Sequence, residues 1–480
     1  MSEANTSGGA QIGLVGLAVM GQNLAYNIAE KGFRIAVTNR SPERVEETER
    51  KAGPLADRMI FARTYQDFVA ALPAPRTVIL MVQAGKGVDE SIAALLPLLT
   101  PGDCIVDAGN SNFRDSLRRE RELAAQGFAY LGVGVSGGEE GARHGPSIMA
   151  GGTEAAYRRV EPILTAISAK YQGADCAAYV GPGGAGHFVK TIHNGIEYAD
   201  MEMIAEIYGL MKNGLGMPLP AIADAFEAWK SGPLDSYLID ITVDVLRARD
   251  TAAGTGGGAL LDAIVDSAGQ KGTGRWSVIE AIELAVPASA IAAAVDARVT
   301  SAARALRATM HGAYGSLARP LDLPAGAETL KALEQTLIAG KVLAYAQGFA
   351  VLAEESARDG THLPLATIAR IWRAGCIIRS RFLDRIASAY DADPALATIL
   401  LDPDMKALVV EALPGARRVL AAALTGGHPT PALSAGVNYL LAMTQPRSTA
   451  DLIQGQRDFF GAHGFERLDR PGTFHGPWAH

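Results

Sequence analysis

The chain is poor in cysteine: Cys104, Cys176 and Cys376 are the only three in 480 residues. An odd number so widely spaced supplies neither a disulfide framework nor the paired spacing of a metal site, so buried free thiols are expected. Positive charge is also in deficit, with 44 Lys and Arg against 51 Asp and Glu and a net charge of -7. That balance argues against nucleic acid, whose phosphate backbone demands a basic face. No apolar run approaches the roughly 18 residues of a membrane span. The opening Met1-Ser-Glu-Ala-Asn is polar rather than signal-like, so a cytoplasmic location away from membranes is expected. If the ligands are anions, cations placed in glycine-rich loops must hold them.

What remains is the composition of an ordinary globular protein, 48% hydrophobic and 20% charged. The length exceeds what one core organises and suggests more than one domain. Short β-branched runs at residues 11–15, 34–38, 77–81, 104–107 and 129–133 alternate with amphipathic stretches at 21–31 and 87–96. This alternation predicts βαβ units, hence a Rossmann-like, doubly wound α/β domain over residues 1–184. From about Gly186 the periodicity changes to three and four, predicting a large all-α domain over 185–445. Long helices are expected at 190–214, 331–359 and 406–425, with loops at 251–258 and 320–325. The tail, 446–480, is dense in Gly, Pro, His and the rings of Phe459, Phe460, Phe465, Phe474 and Trp478. Such a segment is not expected to bury those rings in a core of its own and should dock in a groove, on its own body or on a partner subunit.

Gly16-Leu17-Ala18-Val19-Met20-Gly21 follows the first predicted strand and opens a helix. A tight turn there points backbone N–H groups and a helix N-terminus at a pyrophosphate. Ala18 occupies the usual second glycine, which predicts a slightly less close approach. The second strand ends Asn39-Arg40-Ser41, with no acid to bond a ribose 2′-hydroxyl. Arg40 offers a planar fork to a 2′-phosphate, with Asn39 and Ser41 as hydrogen-bonding neighbours, so NADP is favoured over NAD. Ser41-Pro42 also reads as an ordinary helix start.

Further on, Lys190, His193, Asn194 and Glu197 fall at i, i+3, i+4 and i+7, one helical face over two turns. A base and an acid on one rigid face suit two proton transfers to one substrate. A solvated stripe has the same spacing, a reading weakened by the apolar neighbours Phe188, Val189, Ile192 and Ile196 and by the preceding glycine run. Lys271-Gly-Thr-Gly-Arg275 sets cations among glycines able to turn N–H groups toward an anion.

With Asp107-Ala-Gly-Asn-Ser111, Val135-Ser-Gly-Gly-Glu-Glu-Gly-Ala-Arg143, the segment Asp266 to Trp276 and Gln456-Arg-Asp-Phe-Phe-Gly-Ala-His463, the chain resembles the decarboxylating 6-phosphogluconate dehydrogenase family along its entire length. The resemblance implies oxidation of 6-phosphogluconate at C3 by NADP, loss of CO2 and release of ribulose 5-phosphate, a step of the oxidative pentose phosphate pathway. It implies Lys190 as the group taking the C3 hydroxyl proton and Glu197 as the acid protonating the enediol. It assigns the substrate phosphate to Tyr198, Lys271, Arg298 and Arg457, with His463 on the sugar acid. Asn110, Ser136, Gly137, Gly138, His193 and Asn194 would complete the pocket, and Met81, Val82, Gln83 and Asn110 would border the nicotinamide. It further implies a homodimer in which Arg457 and His463 enter the neighbouring subunit's site.

Two departures stand out: Gln83 where the family usually has Lys, and Arg275 for a common Lys. As a base, Lys190 needs a depressed pKa, through burial and neighbouring positive charge. Two other readings share these motifs. A non-decarboxylating β-hydroxyacid dehydrogenase would not need Lys271, Arg298, Arg457 and His463. A non-catalytic NADP sensor would have no use for Lys190 and Glu197.

Overall fold

The computed structural model describes residues 9–252, 256–358 and 362–478. The polar opening at 1–8, Asp359 and part of the 251–258 loop therefore lie outside the described residues. The sheet strands in chain order are β1 (Ile12–Val15), β2 (Ile35–Thr38), β3 (Met59–Phe61), β4 (Thr77–Leu80), β5 (Cys104–Asp107), β6 (Ala129–Val135) and β7 (Ile148–Gly152). A two-residue hairpin of β8 (Lys170–Tyr171) and β9 (Ala174–Asp175) precedes the last, β10 (Ala177–Gly181). The eight-stranded sheet runs in the order β10-β7-β6-β5-β4-β1-β2-β3. All neighbours are parallel except β6 and β7.

Burial explains why these strands read as unbroken apolar runs. In β1, Ile12 and Leu14 join one hydrophobic cluster while Val15 joins another, so helices cover both faces of the sheet. Three sheet strands went unanticipated, β3, β7 and β10. Ile148–Gly152 carries two glycines and β3 has only three residues, which leaves little β-branched signal. The five anticipated strands stand within two residues of their expected ends.

Beyond β10 the described chain is helical as far as the tail. The helix Ala185–Gly209 runs on through a five-residue π turn, Leu210–Gly214. It begins five residues earlier than its periodicity suggested, because residues 185 to 196 are buried all round and have no solvent-facing side whose period would mark the start. The 32-residue helix Ala327–Arg358 packs against it and against Pro403–Thr425. By length and composition Ala327–Arg358 could cross a membrane, yet 89% of its apolar window is buried inside the protein. It is the central pillar of the helical core.

In the tail, the helix Ala450–Gly461 precedes a short hairpin of β11 (Phe465–Glu466) and β12 (Thr473–Phe474). Buried Asp458 accepts from the backbone of Gly464 and Gly476, from Trp478 Nε1 and from His475. The rings make more of a cluster than composition suggested, with Trp478 beside Phe459 and Phe465. Phe459 and Phe460 nevertheless stay 56% and 72% exposed. Arg457 bonds Gln454, and Gln454 bonds the Gly464 carbonyl, contacts that stay inside the tail.

Candidate active site

The crevice of such a sheet lies where strand order reverses, between β1 and β4. Gly16 sits there at φ 103°, and a side chain on it would strike the Met81 carbonyl. Ala18, by contrast, has φ -68° and ψ 178°, extended backbone open to any residue. The missing second glycine therefore imposes no strain on this turn. Leu17 N donates to Asn39 Oδ1 at 2.9 Å, fixing the first crossover against the end of β2. Val19 and Gln83 face solvent, and Met20, Met81 and Val82 are half-buried beside the turn.

Arg40 is almost fully exposed, its nearest carboxylate Glu90 at 3.9 Å. Ser41 precedes a helix starting at Pro42, but its hydroxyl accepts from Asn39 Nδ2 at 3.0 Å instead of capping. The free N–H groups of the first helix turn, the absence of an acid at β2 and the open guanidinium fit a dinucleotide with a 2′-phosphate.

The catalytic candidates converge at the carboxyl end of β6, on the same edge of the parallel sheet as the Gly16 turn. Lys190 is 6% exposed, and its Nζ donates to Ser136 Oγ at 2.8 Å. His193, fully buried, lies 3.3 Å from Lys190 Nζ, 3.3 Å from Ser136 Oγ and 3.2 Å from Asn194 Oδ1. Glu197 Oε2 is 3.8 Å from His193 Nδ1, its side chain 22% exposed. One helical face thus presents Lys190, His193, Asn194 and Glu197, and the turn after β6 supplies Ser136, Gly137 and Gly138.

Burial pushes the Lys190 pKa down, while Glu197 and Cys376 oppose the shift. The expectation of help from a neighbouring positive charge is thereby corrected: desolvation alone depresses this lysine. Burial raises the Glu197 carboxyl, against Lys190 and Arg298. His193 is held well below its ordinary range by burial and by Lys190, so it is a neutral hydrogen-bonding partner.

Three of the four proposed phosphate residues gather nearby. The Arg298 guanidinium stacks over Tyr198 at 4.3 Å and donates to the Gly269 carbonyl. A side chain on Gly274 would strike the Tyr198 ring, so the Lys271 segment packs against the same pair. Lys271 itself is exposed, as is Asn110. Arg457 and His463 are not brought to this cluster within the chain; their contacts are Gln454 and Phe460 of the tail.

The sequence did not reveal Trp372, whose ring meets His193 edge-on at 5.3 Å. Nor did it reveal the segment after it, where Gly375 O accepts from Ser147 N and abuts Gly137. Gly134 was also missed: a Cβ there would lie 2.5 Å from Lys190 Cβ. The Gly132-Val133-Gly134 alternation in β6 was the available signal.

A doubly wound dinucleotide domain whose last crossover feeds a buried lysine helix defines a nicotinamide-dependent dehydrogenase. Residues 11–181 match the NAD-binding domain of 6-phosphogluconate dehydrogenase, and residues 186–478 match that enzyme's C-terminal domain. The chain belongs to the 6-phosphogluconate dehydrogenase family. It is 46% identical to the chloroplastic decarboxylating enzyme 2 of Oryza sativa, over 98% of this chain and 93% of that one. Identity to the decarboxylating enzyme of Synechococcus elongatus is also 46%, covering 98% and 99%. The structure of Plasmodium falciparum 6-phosphogluconate dehydrogenase, studied with NADP+ and with 6-phosphogluconate, superposes with TM-score 0.92 at 40% identity, covering 98% and 100%.

Proposed function

We propose that the chain converts 6-phosphogluconate and NADP to ribulose 5-phosphate, CO2 and NADPH. The observation that carries this reading is the buried Lys190 with Glu197 two turns along the same helix face, their pKa values pushed in opposite directions by burial. When bound, NADP accepts the hydride from C3. Gly16 to Gly21, Asn39, Arg40 and Ser41 would hold its phosphates, and Met81, Val82, Gln83 and Asn110 would border its reactive end.

Lys190, its pKa lowered by burial, takes the C3 hydroxyl proton as the hydride leaves. The resulting 3-keto acid loses CO2 because the electrons of the C1–C2 bond flow into the new carbonyl. Lys190 returns its proton to that oxygen, which leaves an enediol. Glu197, its carboxyl pKa raised by burial, then protonates the former C2, which becomes C1 of ribulose 5-phosphate. Ser136, Gly137, Gly138, His193 and Asn194 orient the acid end, and Tyr198, Lys271 and Arg298 hold the phosphate.

The reading extends to a cytoplasmic homodimer of 1–184, 185–445 and 446–480 segments, in which the tail carries Arg457 and His463 into the partner's pocket. Support comes from the exposed rings of the tail and from contacts of both residues that stop within it. The deciding experiment follows NADPH formation with 6-phosphogluconate while released CO2 is trapped and counted. Equal amounts support the reading, and NADPH without CO2 points to a non-decarboxylating dehydrogenase.

A further inference from the structure

A buried polar network that the reaction does not use lies behind the site. Asp107, at the end of β5, is fully buried and accepts from Gly109 N at 3.1 Å, Ser111 Oγ at 2.7 Å, Tyr130 OH at 3.0 Å and Arg119 NH1 at 3.3 Å. Two of those donors, Gly109 and Ser111, flank Asn110 in sequence. The carboxylate therefore freezes the turn that presents Asn110 at the surface.

Arg119 is itself only 1% exposed, and it uses all three faces of its fork. NH1 reaches Asp107, NH2 donates to the Gly85 carbonyl at 3.0 Å, and Nε donates to Asp89 at 2.8 Å. Gly85 and Asp89 belong to the loop and first helical turn after β4, immediately beyond Gln83. One guanidinium thus joins the crossovers leaving β4 and β5, which stand side by side in the sheet.

The network continues to the catalytic helix. Tyr130 lies beside Ser116, and Ser116 Oγ is 2.6 Å from His187 Nδ1, one turn before Lys190. His187 is buried, beside the backbone of Asp107 and Gly109. Gly132 in β6 makes room for this ring as Gly134 does for Lys190.

We infer that Arg119, acting through Asp107, is a positioning residue that sets the cofactor-side loops at 83–85 and 107–111 against each other and against the Lys190 helix. The inference rests on the proposed function for what those loops hold. Its physics is that of a planar fork, since three hydrogen bonds from three nitrogens of one rigid group fix two loops at once, a span that the single nitrogen of a lysine does not reproduce.

The test compares Arg119→Lys with the neighbouring control Arg118→Lys, an exposed arginine that also bonds Asp89. NADP dissociation constants come from quenching of protein fluorescence, with kcat, the KM for 6-phosphogluconate and the isotope effect on C3-deuterated substrate measured alongside. Arg119→Lys is expected to weaken NADP roughly tenfold and to lower kcat on the order of 10- to 100-fold, the size of effect a loop displaced by about 1 Å produces. The KM for 6-phosphogluconate should stay within about threefold, because Tyr198 and Arg298 lie on other elements, and the isotope effect should rise. Arg118→Lys should behave as the parent protein.

If Arg119→Lys lowers the melting temperature yet leaves NADP affinity, kcat and the isotope effect unchanged, the positioning role is refuted and only a structural one remains. Should Arg119→Lys fail to fold, Tyr130→Phe removes one donor to Asp107 at nearly constant volume. A smaller change in the same direction supports the inference, and parent-like values overturn it. A parent protein that binds NADP without oxidising 6-phosphogluconate would sink the functional reading, while the NADP comparison would still decide this one.

Discussion

Gly134→Ala perturbs the site by one methyl group. The added Cβ would lie 2.5 Å from Lys190 Cβ, 2.9 Å from the Gly186 carbonyl and 3.1 Å from Lys190 Cγ, where ordinary contact begins at 3.4 Å. Relieving the worst overlap needs about 0.9 Å of movement, the difference of those two distances. The strand cannot supply it freely, because Gly134 pairs with Met149 inside the sheet. The helix must move, and Lys190 with it. A displacement near 1 Å costs on the order of 100-fold in rate when a reacting group is carried along, and such overpacking costs about 1–3 kcal/mol of stability. NADPH production under saturating substrates should therefore fall about 100-fold, by the same argument. NADP affinity should hold, since Gly16 and Arg40 are far along the sheet. A Gly134→Ala protein with kcat within about threefold of the parent would show that this close approach does not seat the lysine.

Other expectations follow from the same geometry. Lys190→Met should abolish turnover by about 100- to 10,000-fold, the range for removing a general base, while leaving NADP binding measurable by fluorescence. Because burial lowers Lys190 from 10.5 and raises Glu197 from 4.5, the neutral base survives below ordinary lysine titration and the acid survives above ordinary carboxylate titration. The kcat profile should fall on its acid side as Lys190 protonates and on its alkaline side as Glu197 ionises, and Glu197→Gln should remove the alkaline limb from whatever activity remains. Arg40→Ala should raise the KM for NADP about 10- to 100-fold, the loss of 1.5–3 kcal/mol for a bond to a charged group, with little change toward NAD measured in the same assay. Mixing inactive Lys190→Met and Arg457→Ala chains under subunit exchange should restore activity at about one quarter of the sites, since a heterodimer would hold one intact site; no recovery would count against an exchanged tail.

Pattern carried the sheet domain because β1, β2, β4 and β5 are buried on both faces, and unbroken apolar runs between helices announce that arrangement. It carried the Lys190 face as well, since a 3.6-residue period maps spacing directly onto geometry. It failed where the determining fact is contact between distant segments. Trp372 lies 179 positions beyond His193 in the numbering, and nothing in its local sequence says that its ring meets that imidazole. The fork of Arg119 looks like any charge in the helix Phe113–Ala124, beside the exposed Arg118 and Arg121. The Lys190 environment shows why this matters for chemistry. Its position on the helix is local information, but the depressed pKa comes from burial beneath β6, permitted by Gly134, and from a helical domain that closes over it. A lysine at the same spacing on an open helix would remain charged at neutral pH and could not serve as the base. The reactivity proposed for this residue would thus be a property of the packing between the two domains, which is why a methyl group on a strand is a sharper test of it than a charge change on the helix.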